Sequence, residues 1–247
     1  MPGKIRVGIG GWTFEPWRGV FYPEGLAQKR ELEFASRALT SIEINGTYYS
    51  TFKPDSWRKW RDETPDGFVF AVKASRYCTN RKILAEAGPA IEKFISQGLT
   101  ELGSKLGPIN WQFAATKKFE IDDFAAFLTL LPKERQGIAL RHALEVRHPS
   151  FATKAFYDLA FKHTAAIVTA TGDKFPEIDK PTAGFTYARF MSSSDDLATG
   201  VSAKDLGGIV RQARTWARRG DVFAYFIAGS KIRNPAAAQA LIRRLKG

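Results

Sequence analysis

The chain has 247 residues, of which 44% are hydrophobic and 25% charged, which is the composition of a globular protein with one large core. Its single cysteine, Cys78, excludes an intrachain disulfide and favours a reducing cytoplasm, and there is no run of about 18 apolar residues that would predict a membrane-spanning segment. Lys and Arg total 37 against 25 Asp and Glu, and the formal net charge of +12 favours an anionic partner, either a small ligand or a nucleic acid.

Eight segments have the pattern of β-strands. They cover residues 5–12, 41–49, 68–74, 108–113, 138–148 (in part), 165–171, 185–190 and 221–228. Most are short, nearly continuous apolar runs, which is typical of strands covered on both faces. The strand within 138–148 differs, because alternation puts Glu145 and Arg147 on one face and Leu144 and Val146 on the other.

Helical patterns lie between these strands. They cover residues 29–39, 54–63, 82–99 (one helix or two, divided at Gly88-Pro89), 122–131, 153–162, 202–219 and the stretch from 234 onward. Pro54 suits a first helical position, Ser202 with Asp205 resembles a capping box, and Asn234 precedes a proline as a cap residue does.

The alternation of strands and helices predicts an α/β fold with a parallel sheet. Eight such units in one chain of this length favour a single TIM-barrel-like (β/α)8 domain over residues 1–247. One unit is irregular. Residues 172–184 contain two prolines and little periodicity, so we expect a loop where the sixth helix would be.

Eight short motifs follow one another along nearly the whole chain. They are Gly10-Gly11-Trp12, the segment from Trp17 to Pro23, the segment from Glu43 to Tyr49, Trp60 with Thr64-Pro65, Phe70-Ala71-Val72-Lys73, the segment from Leu102 to Pro108, Glu145-Val146-Arg147-His148 and Tyr187-Ala188-Arg189. Together they resemble the YecE-like family, also called domain of unknown function 72. The resemblance implies a TIM-barrel-like fold and no particular activity, since none is established for the family.

The chain departs from the family pattern at several strand ends. The resemblance leads us to expect a histidine where Asn80 stands, and paired prolines after Gln112, where the chain has Phe113-Ala114-Ala115. Strands six to eight lack an expected aspartate, a His-Gly pair and an Asn-Asn pair. If the family performs catalysis with these groups, this member is inactive or altered.

Polar and aromatic residues cluster where the predicted strands end, and a TIM barrel carries its ligand site at that face. The candidates are Trp12, Glu43, Asn45, Tyr48, Lys73, Gln112, Glu145, Arg147, His148, Arg189 and Tyr225. Alternation aims Glu43 with Asn45, Glu145 with Arg147 and Tyr187 with Arg189 into the barrel.

We interpret this set as a basic pocket for a phosphate- or carboxylate-bearing ligand, in a hydrolase or a lyase. Arg147 and Arg189 would clamp the anion, Glu43 or Glu145 would be the base, and Lys73 the electrostatic stabiliser or acid. Asn45, Gln112, His148 and Tyr225 would line the pocket, with Trp12 and Tyr48 shaping its mouth. The structural alternative is that the charged residues only form a salt-bridge network filling the barrel.

Other chemistries have weaker support. Glu43 and Glu145 could be the carboxyl pair of a glycosidase, although nearby cations favour their ionised forms. The same two residues with His148 could hold a metal, but three histidines and no cysteine pair argue against zinc, so we predict no metal site, with a carboxylate-held magnesium as the alternative. We also predict no cofactor, and the sequence has no Walker or Rossmann phosphate loop. Cys78 could be a nucleophile, while a lone cysteine is more often a packing residue.

Two helices carry basic faces, which raises a non-catalytic nucleic-acid-binding module as the rival function. Residues 57–61 interleave tryptophan with Arg and Lys, and Arg211, Arg214, Arg218 and Arg219 follow one another on a later helix. The alternative for both is that apolar residues pack on the barrel while the bases are solvated.

Overall fold

Eight parallel strands close into a barrel in this computed structural model, which describes residues 2–172 and 175–247. In chain order they are β1 (Ile5–Gly10), β2 (Ser41–Ile44), β3 (Val69–Lys73), β4 (Leu106–Gln112), β5 (His142–Glu145), β6 (Ala166–Thr171), β7 (Phe185–Phe190) and β8 (Asp221–Phe226). Each strand pairs with its neighbour in the chain, and β8 pairs with β1. The predicted TIM-barrel fold is therefore confirmed.

Helices surround the barrel. They are α1 (Glu31–Ala38), α2 (Pro54–Glu63), α3 (Arg76–Thr79), α4 (Gly88–Ile95), α5 (Ile121–Thr129), α6 (Lys154–Lys162), α7 (Ala203–Ala217) and α8 (Asn234–Lys246). A two-stranded hairpin of Glu134–Arg135 and Ile138–Ala139 precedes β5. The described residues between β6 and β7 form no helix, as the sequence predicts, and residues 173 and 174 of that predicted loop lie outside the described residues.

Several strands end earlier than the sequence predicts, and at β2 and β5 this moves candidate residues onto loops. The strand predicted to reach residue 49 ends at Ile44, and a 3-10 turn, Gly46–Tyr48, follows it. The hydroxyl of Thr47 holds this turn, since it donates to the carbonyl oxygens of Ile44 (3.1 Å) and Lys73 (2.6 Å). Strand β5 ends at Glu145, so Arg147 lies beyond it.

The glycines of β1 allow neighbouring segments to approach the strand closely. A Cβ on Gly8 would lie 1.9 Å from the carbonyl oxygen of Ser41, and one on Gly10 would lie 2.5 Å from Nδ2 of Asn45. Gly11, just past the strand, has a positive φ of 71°, a conformation that favours glycine.

Apolar helix faces cover the outside of the barrel, because a side chain repeats on one helix face every three to four residues. Phe124, Phe127 and Leu128 of α5 are buried, as their spacing predicts, and Trp57 of α2 is 0% exposed. Within the described residues, none of the helices combines the length and the apolar character needed to cross a bilayer.

Candidate anion site at the barrel mouth

A buried ion-pair network lies inside the barrel near the C-terminal ends of the strands. Nη1 of Arg189 lies 2.6 Å from a carboxylate oxygen of Glu145, and its Nη2 lies 2.9 Å from one of Glu43. Both carboxylates are 0% exposed and Arg189 is 2% exposed. One guanidinium from β7 therefore bridges carboxylates from β2 and β5, and all three side chains lie on the inner faces to which alternation assigns them.

Neutral donors complete the network. Asn110 Nδ2 donates to Glu145 at 2.9 Å and to Glu43 at 3.3 Å, and Gln112 Nε2 donates to Glu145 at 2.8 Å. The Tyr187 hydroxyl donates to the second oxygen of Glu43. Because these groups satisfy the carboxylates as hydrogen-bond acceptors, the buried charges are paired and solvated by protein.

Electrostatics fix the protonation states here. Burial raises the pKa of Glu145, but the charges of Arg189 and Arg147 outweigh burial and lower that pKa to about 2. Burial lowers the pKa of Arg189, but the two carboxylates outweigh it and leave the pKa above its ordinary value. Burial and the Glu43 charge raise the pKa of Tyr187, which stays protonated. Glu145 is thus an anion and a weak base at neutral pH.

Arg147 continues the network toward solvent. It follows the end of β5, and its Nη2 and Nε lie 2.8 Å and 3.1 Å from the same oxygen of Glu145. Its guanidinium carbon lies 4.6 Å from the ring centre of Phe175. The side chain is 24% exposed, so it is a cation at the open end of the barrel.

Lys73, the last residue of β3, differs from the arginines. No carboxylate oxygen among the described residues lies within 4.0 Å of its Nζ, which instead lies 4.2 Å from the ring centre of Tyr48. Burial, and then the charge of Arg189, lower the pKa of Lys73 to about 8, although Glu43 and Glu145 act in the opposite direction. Lys73 is therefore a half-buried cation whose charge the network leaves unmatched.

A basic groove adjoins Tyr48. Asn80 donates from Nδ2 to the Tyr48 hydroxyl at 3.0 Å and lines this groove, which has a volume of about 540 Å³. Its basic lining residues are Arg81, Lys82, Lys117 and Lys118. Thr79, which also lines it, is 1% exposed, and its hydroxyl has no hydrogen-bond partner among the described residues. Lys117 is paired with Asp123 at 2.7 Å and Glu120 also lines the groove, so Arg81, Lys82 and Lys118 are the cations that it adds beside Tyr48.

Trp12 and Asn45 lie together in a second, aromatic cavity of about 530 Å³ beyond the ends of β1 and β2. The Trp12 ring lies 5.2 Å from that of Trp60, and Phe52 completes the aromatic wall. Oδ1 of Asn45 is buried and has no hydrogen-bond partner within the described part of the chain. These two candidates are therefore separated from the ion-pair network.

Two further candidates take structural contacts. The Tyr225 hydroxyl lies 2.7 Å from Oγ of Ser41, which donates to the Val69 carbonyl at 2.6 Å, so Tyr225 packs inside the barrel, 0% exposed. His148 caps a 3-10 turn, where its Nδ1 accepts from the Ser150 backbone at 3.1 Å.

The alternative chemistries find little geometric support. No group of three or more His, Cys, Asp or Glu side chains among residues 2–172 and 175–247 is arranged to hold a metal. Cys78 is 0% exposed, and burial raises its thiol pKa to about 12, which suits a packing residue rather than a nucleophile. His142, which is also buried, accepts from Trp111 Nε1 at 3.0 Å, and burial lowers its pKa to about 4.

Sequence reasoning left two members of the network out of the candidate set. Asn110 stands two residues before Gln112 on β4, and Tyr187 two residues before Arg189 on β7. Alternation places each on the inner face with its named neighbour. The signal was present, but Asn110 lies within an apolar run and drew no attention as a site residue.

These features define a class: a TIM-barrel protein with a charged network at the carboxyl ends of its strands. The chain belongs to the family described as protein of unknown function DUF72, whose model matches residues 6–247. A curated relative, the UPF0759 protein YecE of Escherichia coli strain K12, is 27% identical over 151 residues, which are 61% of this chain and 51% of that protein. The chain thus spans about half the length of the curated relatives it matches.

Solved structures support the fold. A DUF72 family protein from Thermotoga maritima superposes with a TM-score of 0.79 at 22% identity, covering 99% of this chain and all of that one. Another from Enterococcus faecalis gives 0.72 at 15% identity, covering 99% and 98%. A fusion of a xylose isomerase-like TIM barrel with 4-hydroxyphenylpyruvate dioxygenase gives 0.52 at 14% identity, covering 99% of this chain and 44% of that one.

Proposed function

We propose that the protein binds a small phosphate- or carboxylate-bearing ligand at the barrel mouth and that Lys73 contacts it directly. The supporting observation is a difference in charge pairing. In the described part of the barrel interior, Arg6, Arg147 and Arg189 each have a carboxylate within 3.0 Å, whereas Lys73 has none within 4.0 Å. A half-buried cation without a counter-ion is destabilising, and an anionic ligand would supply the missing partner.

The neighbours of Lys73 favour the same ligand. The face of Tyr48 supports the ammonium group through a cation–π contact, which fixes its direction without neutralising it. The groove cations Arg81, Lys82 and Lys118 raise the local concentration of anions near the mouth. Arg147 adds a second cation at the open end.

Arg189 takes a positioning role in this proposal rather than the clamping role the sequence suggests. Its two terminal nitrogens already hold Glu43 and Glu145. Breaking the bond to Glu43 would leave that buried carboxylate without a cation among the described residues, which costs several kcal/mol, and breaking the bond to Glu145 would leave it with Arg147 alone. Arg189 therefore holds Glu145, and Glu145 in turn holds Arg147 toward the mouth.

In hydrolase or lyase chemistry at this site, Lys73 is the proton donor. Its pKa of about 8 lies near the working pH, where proton transfer is efficient. Glu145, with a pKa of about 2, accepts bonds from four side chains and is a poor base. In this proposal Lys73 acts on the ligand, whereas the carboxylates have a structural role.

Sulfate titration by calorimetry tests this function, because sulfate keeps a constant charge between pH 7 and pH 9. We expect Lys73→Met to weaken sulfate binding about 10- to 100-fold at pH 7, which corresponds to one charge-assisted hydrogen bond of about 1.5–3 kcal/mol. Lys162→Met removes an equal charge from the exposed end of α6 and is the matched control. Equal sulfate affinity of Lys73→Met and the unaltered protein would overturn the proposal.

The pH dependence gives a second readout. Affinity for sulfate should fall as pH rises through about 8, because Lys73 then loses its proton. Lys73→Arg, whose guanidinium stays charged, should keep its affinity at pH 9. A pH-independent affinity in the unaltered protein would assign the binding to another group.

A further inference from the structure

The outer face of α7 and α8 carries a dense set of exposed cations. Residues 203–247 contain ten Lys and Arg and only two Asp, a net charge of +8 out of the +12 of the whole chain. The cations exposed on the two helices and their ends are Lys204, Arg211, Arg214, Arg218, Arg219, Arg243, Arg244 and Lys246. Within the described residues, none of these eight has a carboxylate within 4.0 Å. We call this surface the α7–α8 face.

The face is continuous across both helices. Positions 211, 214 and 218 follow helical spacing on the side of α7 opposite its buried residues Leu206 and Ala213. Nη1 of Arg211 lies 3.6 Å, and Nη1 of Arg244 3.7 Å, from where a Cβ on Gly207 would be. Guanidinium groups from two helices therefore meet over a glycine.

Backbone carbonyls hold part of this arrangement. Nη2 of Arg214 on α7 lies 3.5 Å from the carbonyl oxygen of Arg244, and Nη1 of Arg244 on α8 lies 3.0 Å from that of Ala203. These contacts orient the side chains but neutralise no charge. Clustered like charges repel each other and destabilise the fold, so the arrangement is suited to a polyanion that would offset the repulsion.

On a second basic helix, α2, the cations do have carboxylate partners. On α2, Arg58 pairs with Asp55 and Glu101, Lys59 with Glu63, and Arg61 with Asp62. Trp57, which directly precedes Arg58, is fully buried. The α2 helix therefore presents neutralised cations, whereas the α7–α8 face presents unneutralised ones.

We propose that the α7–α8 face binds the phosphodiester backbone of a nucleic-acid duplex without reading its sequence. Arginine predominates on the face, and its planar guanidinium matches phosphate oxygens in a bidentate manner. The face has no large exposed apolar or aromatic side chain among its described residues. Single-stranded nucleic acids need aromatic side chains on which their bases stack, and this face has none exposed among its described residues. It also lacks there the apolar core of a protein interface and the apolar face of a helix that lies on a membrane.

Fluorescence anisotropy with a labelled mixed-sequence DNA duplex tests this proposal. The unaltered protein should bind with an affinity that falls steeply between 50 and 200 mM salt, since log affinity declines by about 0.9 per phosphate contact for each unit of log salt. The triple variant Arg211→Gln, Arg214→Gln, Arg244→Gln should reduce that slope by about 3 and weaken binding at least about tenfold at low salt.

The matched control is the triple variant Arg58→Gln, Lys59→Gln, Arg61→Gln on α2, which removes an equal number of positive charges from a surface where carboxylates pair them. It should leave both slope and affinity close to those of the unaltered protein. If the two triple variants lose affinity equally, net charge rather than this face governs binding, and the proposal fails. Because Arg214 and Arg244 also contact carbonyls, the double variant Arg218→Gln, Arg219→Gln provides a second test that leaves those bonds intact.

Further experiments distinguish a nucleic-acid backbone from a lipid headgroup as the source of the phosphate. An RNA duplex of the same length should bind with similar salt dependence, because the proposal assigns no base contacts. Strong preference for one DNA sequence would contradict backbone recognition. Binding to vesicles rich in phosphatidylserine without binding to either duplex would overturn the proposal in favour of a membrane surface.

Discussion

Arginines occupy two opposite environments in this molecule. Inside the barrel, Arg189 is buried with two carboxylates on its terminal nitrogens. On the α7–α8 face, Arg211 and Arg244 are exposed beside each other with no carboxylate close by among the described residues. Burial requires pairing because an isolated ion in a low-dielectric interior is costly, whereas water tolerates unpaired charge on a surface.

This difference distinguishes charges that are already paired within the fold from charges that are available to bind a ligand. The buried network pairs both of its carboxylates, although Arg189 Nε and Asn110 Oδ1 have no hydrogen-bond partner among the described residues. Lys73 at its edge and the exposed cations of α7 and α8 have no carboxylate within 4.0 Å in that same part of the chain. Both proposed binding sites therefore lie where positive charge lacks a counter-ion, and not where the most charged residues cluster.

The largest expected effect concerns the buried side of the comparison. Arg189→Met should lower the free energy of unfolding by about 3–5 kcal/mol in urea titrations, because it leaves Glu43 buried without a cation among the described residues and Glu145 with Arg147 alone. Arg135→Met, which removes an exposed pair with Glu92 at 2.8 Å, should cost at most about 1 kcal/mol.

A third variant distinguishes charge from packing at this position. Adding Glu43→Gln and Glu145→Gln to Arg189→Met removes both buried negative charges and should recover part of the lost stability. If the triple variant is no more stable than Arg189→Met alone, the network stabilises the fold through the packing of its side chains rather than through their charges.

A smaller effect follows from the pKa of Glu145, about 2 in the folded chain against an ordinary value of 4.5. Because the folded-state pKa is depressed, the unfolded chain binds the proton more tightly. The stabilisation is fully present above about pH 5 and is lost as pH falls toward 2. It amounts to about 3 kcal/mol.

Urea titrations between pH 6 and pH 2 measure this loss. Glu145→Gln should flatten the acid side of the stability profile, while Glu92→Gln, which removes an exposed carboxylate, should leave it nearly unaltered. An unchanged profile in Glu145→Gln would show that Glu145 does not hold its charge in the folded chain.

Local pattern sufficed to predict the barrel, because eight apolar runs separated by helical periods leave few alternatives. Alternation also placed Glu43, Glu145 and Arg189 on inner faces. It did not predict that Arg189 bridges both carboxylates, since β2, β5 and β7 are not neighbours and their relative height depends on the tilt and register of the closed barrel. Asn45 and Tyr48 were assigned to a strand because their 3-10 turn depends on a distant carbonyl, that of Lys73.

The two basic helices looked alike in sequence but differ in structure. The pairs Asp55–Arg58 and Lys59–Glu63 could have been inferred from their spacing of three and four residues. The contact of Arg58 with Glu101 could not, because it joins α2 to a distant loop. On α7 the only acidic residue is Asp205, which caps the helix start with Ser202. The number of acidic side chains within reach of each basic side chain therefore distinguishes the two faces better than the number of basic side chains does.

The smallest expected effect tests the exposed side of the comparison and has opposite signs on the two helices. Arg211→Gln should raise the free energy of unfolding by about 0.2–0.5 kcal/mol at low salt, because it relieves repulsion from Arg244. Arg58→Gln should lower it by a similar amount, because Asp55 and Glu101 lose their cation. Thermal unfolding at 10 mM and 1 M salt measures both, and both differences should shrink at high salt, where the screening length is about 3 Å. Two shifts of the same sign would mean that the cations of α7 and α2 do not differ in pairing, and the contrast between the two faces would lose its energetic basis.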